Sequence, residues 1–365
     1  MSEWQTFCLK DLGKIVGGAT PSTNNPKNYG NKIAWITPKD LSTLQGRYIK
    51  KGSRSISRLG FKSCSCVLLP KHAILFSSRA PIGYVAIAKK RLCTNQGFKS
   101  IIPNKKIYFE FLYYLLKYHK DNISNIGGGT TFKEVSGATL GLFKVKIPPT
   151  YYEQQKIART LSILDQKIEN NHKINELLHT LAYKIYEYYF KYKPKNAKLE
   201  QIIIENPKSS IMVKNAQKTQ DKYPFFTSGD NILSYPKAII DGRNCFLNTG
   251  GNAGIKFYVG KASYSTDTWC ICANEFSDYL YLLLSSIKIH INQSFFQGTS
   301  LKHLQKNLLK KYPIYMPSAH EIKKFNQIIM PLLTLISINT RTSKKLEQIR
   351  DFLLPLLLKQ QVKPQ

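Results

Sequence analysis

The stretch Thr150–Tyr192, TYYEQQKIARTLSILDQKIENNHKINELLHTLAYKIYEYYFKY, constrains this chain more than any other. Thr150 and Glu153 have the spacing of a capping box, in which each side chain satisfies a backbone N–H that a first helical turn leaves unpaired. Apolar residues follow at Ile157, Leu161, Leu164 and Ile168, then at Leu178, Ile185 and Tyr189. Those alternating steps of three and four are the period of a helix whose seam faces a second helix. The seam turns polar at Asn171 and Asn175, and Pro194 closes the element. A helix of this length reaches roughly 55 Å and needs a partner of equal length.

The partner is in the same chain. Ser318 and Glu321 repeat the capping box 168 residues later. Phe325, Ile329, Leu332, Ile336, Leu346 and Leu353 repeat the apolar spacing, and Asn339 and Ser343 stand where Asn171 and Asn175 stand in the first helix. Two seams that become polar at the same heptad point to pairing specificity, the role a buried Asn has in coiled coils. Pro331 and Pro355 are expected to kink or end the second helix locally.

The repeat extends beyond the helices. Ile126-Gly127-Gly128-Gly129-Thr130-Thr131-Phe132-Lys133 is answered by Phe296-Gln297-Gly298-Thr299-Ser300-Leu301-Lys302. Leu75-Phe76-Ser77-Ser78 with Gly83 parallels Phe246-Leu247-Asn248-Thr249 with Gly254, and Thr94–Phe98 parallels Thr266–Trp269. The offset drifts further upstream. The chain is a tandem duplication: 1–149 a globular module, 150–193 a long helix, 194–317 a second module, 318–365 a second long helix. Within a module the reading is α+β, with short strands at Lys32–Ile36, Ala73–Phe76, Tyr84–Ala88 and Ser100–Ile102. Helices are expected at Phe109–Tyr118 and Asp278–Ile287.

Composition narrows the partner. The 54 Lys and Arg against 22 Asp and Glu leave a formal charge of +32, a field that favours a polyanion, and nucleic acid first. Lys enrichment through genome composition contributes to this balance and does not account for so few acids. No apolar run reaches the length of a membrane span and no signal peptide opens the sequence, so the expected compartment is the cytoplasm, with no membrane partner. Seven cysteines without a C-x-x-C pair suit a reducing compartment and strand positions better than a zinc site.

Catalytic motifs fail where they come nearest. Ile147-Pro148-Pro149-Thr150 and Asn206-Pro207-Lys208 lack the N/D-P-P-Y/F set that an adenine methyltransferase places against its base. Gly250–Lys256 misses the Lys spacing and hydroxyl of a phosphate-binding loop. No H-E-x-x-H or paired-carboxylate frame appears, so no catalytic residue, metal ligand or cofactor is assigned to this chain. The basic run Gly46–Arg58 carries the first candidate nucleic-acid contacts, Arg47, Lys50, Lys51, Arg54 and Arg58. Arg reads guanine edges bidentately, while Lys and Ser mostly clamp phosphates. Arg79 and Lys133 are added from the loops of the first module. Lys214, Lys218, Arg243, Lys256, Gln297, Thr299 and Lys302 are added from the second.

The runs VGGATPSTNNPKNYG, WITPKDL, ILFSSRAPIGYVAIA, TNQGF, GGGTTFKEVS and IPPTYYEQQKIARTLSILDQKIE resemble the specificity subunit of type I restriction–modification enzymes. The second half adds SGD, FLNTGGNAGIKFYVG, STDTW, QGTSLKHL and LEQIRDFLLPLLL, in the same order of parts. The resemblance implies two tandem target-recognition domains separated by two long helices packed as an antiparallel coiled coil, with pseudo-twofold symmetry. It implies a non-catalytic subunit that reads a bipartite double-stranded DNA target and docks two methyltransferase subunits and restriction subunits. S-adenosylmethionine, ATP and Mg²⁺ would then belong to those partners. The alternative is a stand-alone nucleic-acid-modifying enzyme, an orphan methyltransferase or nuclease.

Overall fold

The computed structural model describes residues 3–129, 133–216 and 222–364. Four helices organise them: α1 (Phe109–Asn125), α2 (Tyr151–Tyr186), α3 (Ser277–Ser286) and α4 (Ala319–Leu358). The long pair are α2, of 36 residues, and α4, of 40. Both capping boxes form: the Glu153 amide donates to the Thr150 hydroxyl at 3.2 Å, and the Ser318 amide donates to the Glu321 carboxylate at 2.9 Å. At the far end of α2 the chain widens into a π-helical turn over Glu187–Lys191 before Pro194. α4 passes through Pro331 and Pro355 without ending. Each proline removes one N–H, but buried Ile329, Leu333, Leu354 and Leu357 around them hold the helix by packing.

The chain divides into two compact units, and the cut runs through both long helices. The first unit is Met1–Asn170 with Ser343–Gln365; the second is Asn171–Thr342. Each unit therefore owns one module and half of each long helix, so the boundaries at 149, 193 and 317 mark changes of element more than changes of body.

In the first unit a five-stranded sheet is built from β1 (Gly13–Gly17), β2 (Tyr48–Ile49), β3 (Ile74–Phe76), β4 (Val85–Ala88) and β5 (Lys99–Pro103), in the order β1-β5-β3-β4-β2. Neighbours are antiparallel except β2, which runs parallel to β4. α1 presents Phe111, Leu112, Leu115 and Leu116 to one face of this sheet and, with Ile157, Ala158 and Leu161 of α2 and Leu354, Leu357 and Leu358 of α4, closes the core. A smaller sheet joins Tyr29–Ile36 to Arg54–Ile56 and Cys93–Thr94.

The second unit repeats the plan with β6 (Ile204–Glu205), β7 (Arg243–Asn248), β8 (Ile255–Val259) and β9 (Thr268–Cys272), ordered β6-β9-β7-β8. Its smaller sheet pairs Tyr223–Phe226 with Leu233–Tyr235 and, in parallel, with Ser263–Tyr264. Gln5–Cys8 pairs with Lys144–Ile147 just before α2, and Ala197–Lys198 pairs with Pro313–Ile314 just before α4. Among the described residues the four-stranded sheet has no equivalent of β2, and the first copy carries more chain between Asp40 and Leu75 than the second does between Asp230 and Phe246, so the repeat offset drifts upstream.

The helices pack antiparallel within each unit. In the first, Arg350 of α4 bonds Asp165 of α2 at 2.7 Å. In the second, the Asn339 amide donates to Asn175 at 2.9 Å, and Tyr189 and Phe190 pack edge-on against Phe325. The buried seam differs from the expected stripe. Ile157, Leu161, Ile168, Phe325, Ile329 and Ile336 are buried as expected. Leu164, Asn171, Leu178, Ile185, Leu332, Asn339, Leu346 and Leu353 are half-buried. Ala158, Asp165, Ala182, Tyr186, Leu333 and Leu354 take the inner places. Each helix faces a module as well as its partner helix, which widens the apolar stripe beyond a two-position seam.

Candidate nucleic-acid interface

In the first module, three loops meet at one end of the large sheet. β3 runs out into Ser77–Gly83, and the Ser77 hydroxyl accepts from the Tyr84 amide at 2.8 Å while donating to the Pro81 carbonyl at 2.7 Å. Gly83, at φ +99°, supplies a left-handed turn that a side chain would strain. The Ser78 amide donates to the Gly97 carbonyl at 2.8 Å, and the Val135 amide donates to the Ser78 carbonyl at 3.0 Å. That ties 77–83 to 94–97 and to the turn in which Gly128 pairs with Glu134. Arg79 reaches Glu134 at 3.3 Å and Lys99 reaches it at 3.4 Å, while Lys133 beside them is exposed. Thr130, Thr131 and Phe132 lie outside the described residues.

The second module builds the same end from different side chains. Asn248 replaces Ser77 as the brace: its amide donates to the Asn252 carbonyl at 3.1 Å, and its carbonyl accepts from Lys256 Nζ at 3.0 Å. Gly254 comes so close that an added Cβ would lie 2.3 Å from Asn248 Nδ2. The Leu304 amide donates to the Thr249 carbonyl at 3.0 Å, the Gly251 amide to the Lys302 carbonyl at 2.9 Å, and the Thr249 amide to the Asp267 carbonyl at 3.2 Å. The Thr266 amide donates to the Ile211 carbonyl at 3.0 Å, bringing the segment before Lys214 to the same end. Gln297, Thr299 and Lys302 are exposed on the hairpin whose strands pair Phe296 with Leu304, and Lys214 is exposed on its short helix. Lys218 lies outside the described residues.

Lys50, Lys51, Arg54 and Arg58 are exposed on the segment that follows β2. The Arg54 guanidinium lies 5.7 Å from the centroid of the Tyr29 ring, and Ser57 caps the short helix Arg58–Lys62 by accepting from the Gly60 amide at 3.0 Å.

Three expected contacts are not available to DNA. Arg47 is 2% exposed and its guanidinium bonds Glu110 at 3.1 Å and Glu169 at 3.2 Å. Burial works against its charge, and Tyr114, Glu169, Glu110 and Asp165 outweigh that, so its pKa is raised. Arg243 opens β7 at the end opposite Asn248; it pairs with Asp278 at 2.5 Å and donates to Thr334 at 3.0 Å and to the Met330 carbonyl at 3.2 Å. It joins the module to α4. Burial pushes the Asp278 carboxyl up from its ordinary value despite that partner. Lys256 turns inward, its amine shared between Asn248 and the Thr227 carbonyl, and burial lowers its pKa. It braces a loop from within.

Among the described residues, no group of three or more His, Cys, Asp or Glu is arranged to hold a metal ion, and no helix is long and apolar enough to cross a membrane. The seven cysteines are all free.

Comparison with known proteins decides the family. The type I restriction modification DNA specificity domain matches residues 1–180 and again 195–348. The chain belongs to the type I restriction–modification DNA specificity family. It is 33% identical to the type I restriction enzyme MjaIX specificity subunit of Methanocaldococcus jannaschii, over 98% of this chain and 93% of that one. Over 46% of this chain and 37% of the relative it is 30% identical to the HindI specificity subunit of Haemophilus influenzae. The crystal structure of a type I specificity subunit from M. genitalium shares the fold, with a TM-score of 0.62 at 18% identity over 97% of this chain and 96% of that one. As a specificity subunit the protein is a DNA-recognition component, and each matched segment spans one module and most of the helix that follows it.

The sequence gives no distinctive sign that Ser77 and Asn248 brace their loops. Their one visible signal is a small polar residue just after an apolar strand, which any turn also shows.

Proposed function

We propose that this specificity subunit reads a bipartite double-stranded DNA target, one half-site per module. The observation that carries the proposal is the recurrence, in both units, of the same three-loop end with unlike side chains: Arg79 and Lys133 in one, Gln297, Thr299 and Lys302 in the other. A duplicated scaffold with divergent tips suits two readers of different sequences, since base edges are discriminated by the side chains that reach them. The exposed cations Lys50, Lys51, Arg54, Arg58 and Lys214 would hold phosphates. α2 and α4 would set the number of unread base pairs. Two methyltransferase subunits, then restriction subunits, would dock on the helices, and S-adenosylmethionine, ATP and Mg²⁺ would be bound by those partners in the cytoplasm.

Co-expression with the methyltransferase subunit of the same system, followed by a genome-wide map of methylated adenines, tests this reading. Two short half-sites around a fixed gap are the expected result. A continuous unsplit motif, or copurification of the two proteins without any methylated motif, would overturn it.

A further inference from the structure

Arg47 stands at the root of the basic segment, immediately before β2, and carboxylates from two helices converge on it. Its guanidinium bonds Glu110 of α1 at 3.1 Å and Glu169 of α2 at 3.2 Å, and lies 4.0 Å from Asp165 of α2. The Arg47 amide donates to the same Glu169 oxygen at 2.9 Å. Gly46, at φ +119°, lets the chain pass so closely over Glu169 that a Cβ there would meet the carboxylate at 3.0 Å. Asp165 also takes Arg350 of α4 at 2.7 Å and the Tyr114 hydroxyl of α1 at 2.6 Å. Glu110 in turn receives the Tyr48 and Tyr108 hydroxyls, at 2.5 and 2.9 Å. One connected set of buried charges thus ties the start of β2, α1 and the first unit's portions of α2 and α4 together.

The second unit builds a smaller counterpart: at the repeat offset of the helices Glu110 corresponds to Asp278 of α3, which Arg243 bonds at 2.5 Å while donating to Thr334 and the Met330 carbonyl of α4. At the same offset, Asp165 corresponds to Leu333, Glu169 to Ser337 and Arg350 to Ala182, of which Leu333 and Ala182 lie in an apolar core cluster. The shared fold therefore does not require the charges that the long helices add, Asp165, Glu169 and Arg350. Buried ion networks add little net stability over apolar packing, and their best-attested use is to fix one geometry among near-equals. A guanidinium that bridges two carboxylates on different helices suits that role, because its planar fork holds direction as well as distance.

We propose that Arg47 is a positioning residue for DNA recognition: through Glu110 and Glu169 it fixes how the first module's basic segment is carried on the helices. Arg47 touches no DNA; it acts through Lys50, Lys51, Arg54 and Arg58, which follow it along the chain. The inference rests on the bipartite reading proposed above and adds to it a determinant of spacing precision in the first module.

The test uses the full chain with its methyltransferase subunits and duplexes carrying the mapped half-sites at the native gap and at one base pair more or less. Two variants are compared with wild type: R47M/E110Q/E169Q, which removes the charges together and leaves no orphan, and R47K, which keeps the charge and loses the fork. Wild type should prefer the native gap by roughly tenfold or more, the scale of one mismatched base pair. The triple variant should lose most of that preference while reading the same half-site bases, with R47K in between, and hydrogen exchange over residues 48–58 should quicken in the same order. Should the triple variant not fold, R47K alone decides, by the same two readouts. Variants that keep the full preference overturn the positioning role alone. A wild-type complex indifferent to the gap overturns the bipartite reading, and the positioning role with it.

Discussion

Within the second unit, Asn339 of α4 donates its side-chain amide to the Asn175 carbonyl oxygen of α2 at 2.9 Å. Asn175 passes the chain on, donating to the Ile336 carbonyl and the Thr340 hydroxyl at 3.4 Å. The two asparagines are half-buried, with Leu178 and Ile336 near them in the same seam. An amide pair in an otherwise apolar seam fixes which heptads face each other, because any other register would leave both amides unpaired.

Removing both partners should therefore cost less than the two single removals added together. N175A is expected to lower the unfolding free energy by about 1–2 kcal/mol, the cost of a stranded amide. The double variant N175L/N339L should lose less than the two single leucine variants added together. Urea unfolding of the three variants reads the coupling. Strict additivity would show that the pair does not act as a unit.

The helix seam makes a second prediction. Leu161 is fully buried in the first unit's core, whereas Leu164, an equally regular seam position in sequence, is half-buried. L161A should destabilise by about 3 kcal/mol or more, and L164A by less than half of that, in equilibrium unfolding. Equal losses would mean that the expected stripe, and not the wider observed one, carries the packing.

Salt dependence separates outward cations from inward ones. If about eight phosphates are neutralised, log Kd against log salt should have a slope of magnitude near 7, by the counterion-release estimate of roughly 0.9 per phosphate. Lys302→Ala should flatten it by about one. Lys256, whose amine is held by Asn248 and Thr227, should leave the slope unchanged when replaced by Met. Fluorescence anisotropy across a salt series measures all three, and a total slope shallower than about 2 would rule out an extended phosphate contact.

Acid should weaken the first unit through His119. Burial lowers its pKa, and the ring packs edge-on to Phe143 and Tyr118. His119 is thus held neutral in the fold, while the unfolded chain takes up a proton near the ordinary value of about 6.5. The stabilisation is fully present above that pH and is lost progressively as pH falls below it. His179, also lowered by burial, and His72, lowered by burial and by Lys71, add to the same trend. Melting temperature should drop between pH 7.5 and 5.5, and H119F should flatten part of that drop. An unchanged profile in H119F would assign the acid sensitivity elsewhere.

The duplication, the two long helices with their caps, and the module order were legible in sequence because each rests on local periodicity or on a repeated string. Thr150 with Glu153 and Ser318 with Glu321 needed only their spacing. The candidate site was legible in part. Lys50, Lys51, Arg54, Arg58, Lys133, Lys214, Gln297, Thr299 and Lys302 are exposed, while Arg47, Arg243 and Lys256 turn inward. A cation in a basic run gives no local sign of whether a carboxylate from a distant element waits beneath it. Glu110 and Glu169 lie far along the chain from Arg47, as Asp278 does from Arg243.

What the sequence determined by itself is therefore everything carried by short-range pattern: helix length, capping, repeat and net charge. Only the tertiary structure decided which charges are spent inside and which remain for a polyanion. Desolvation is the physical reason: an Arg enters the interior only where opposite charges converge on it from several elements, and that convergence is a property of the packed chain.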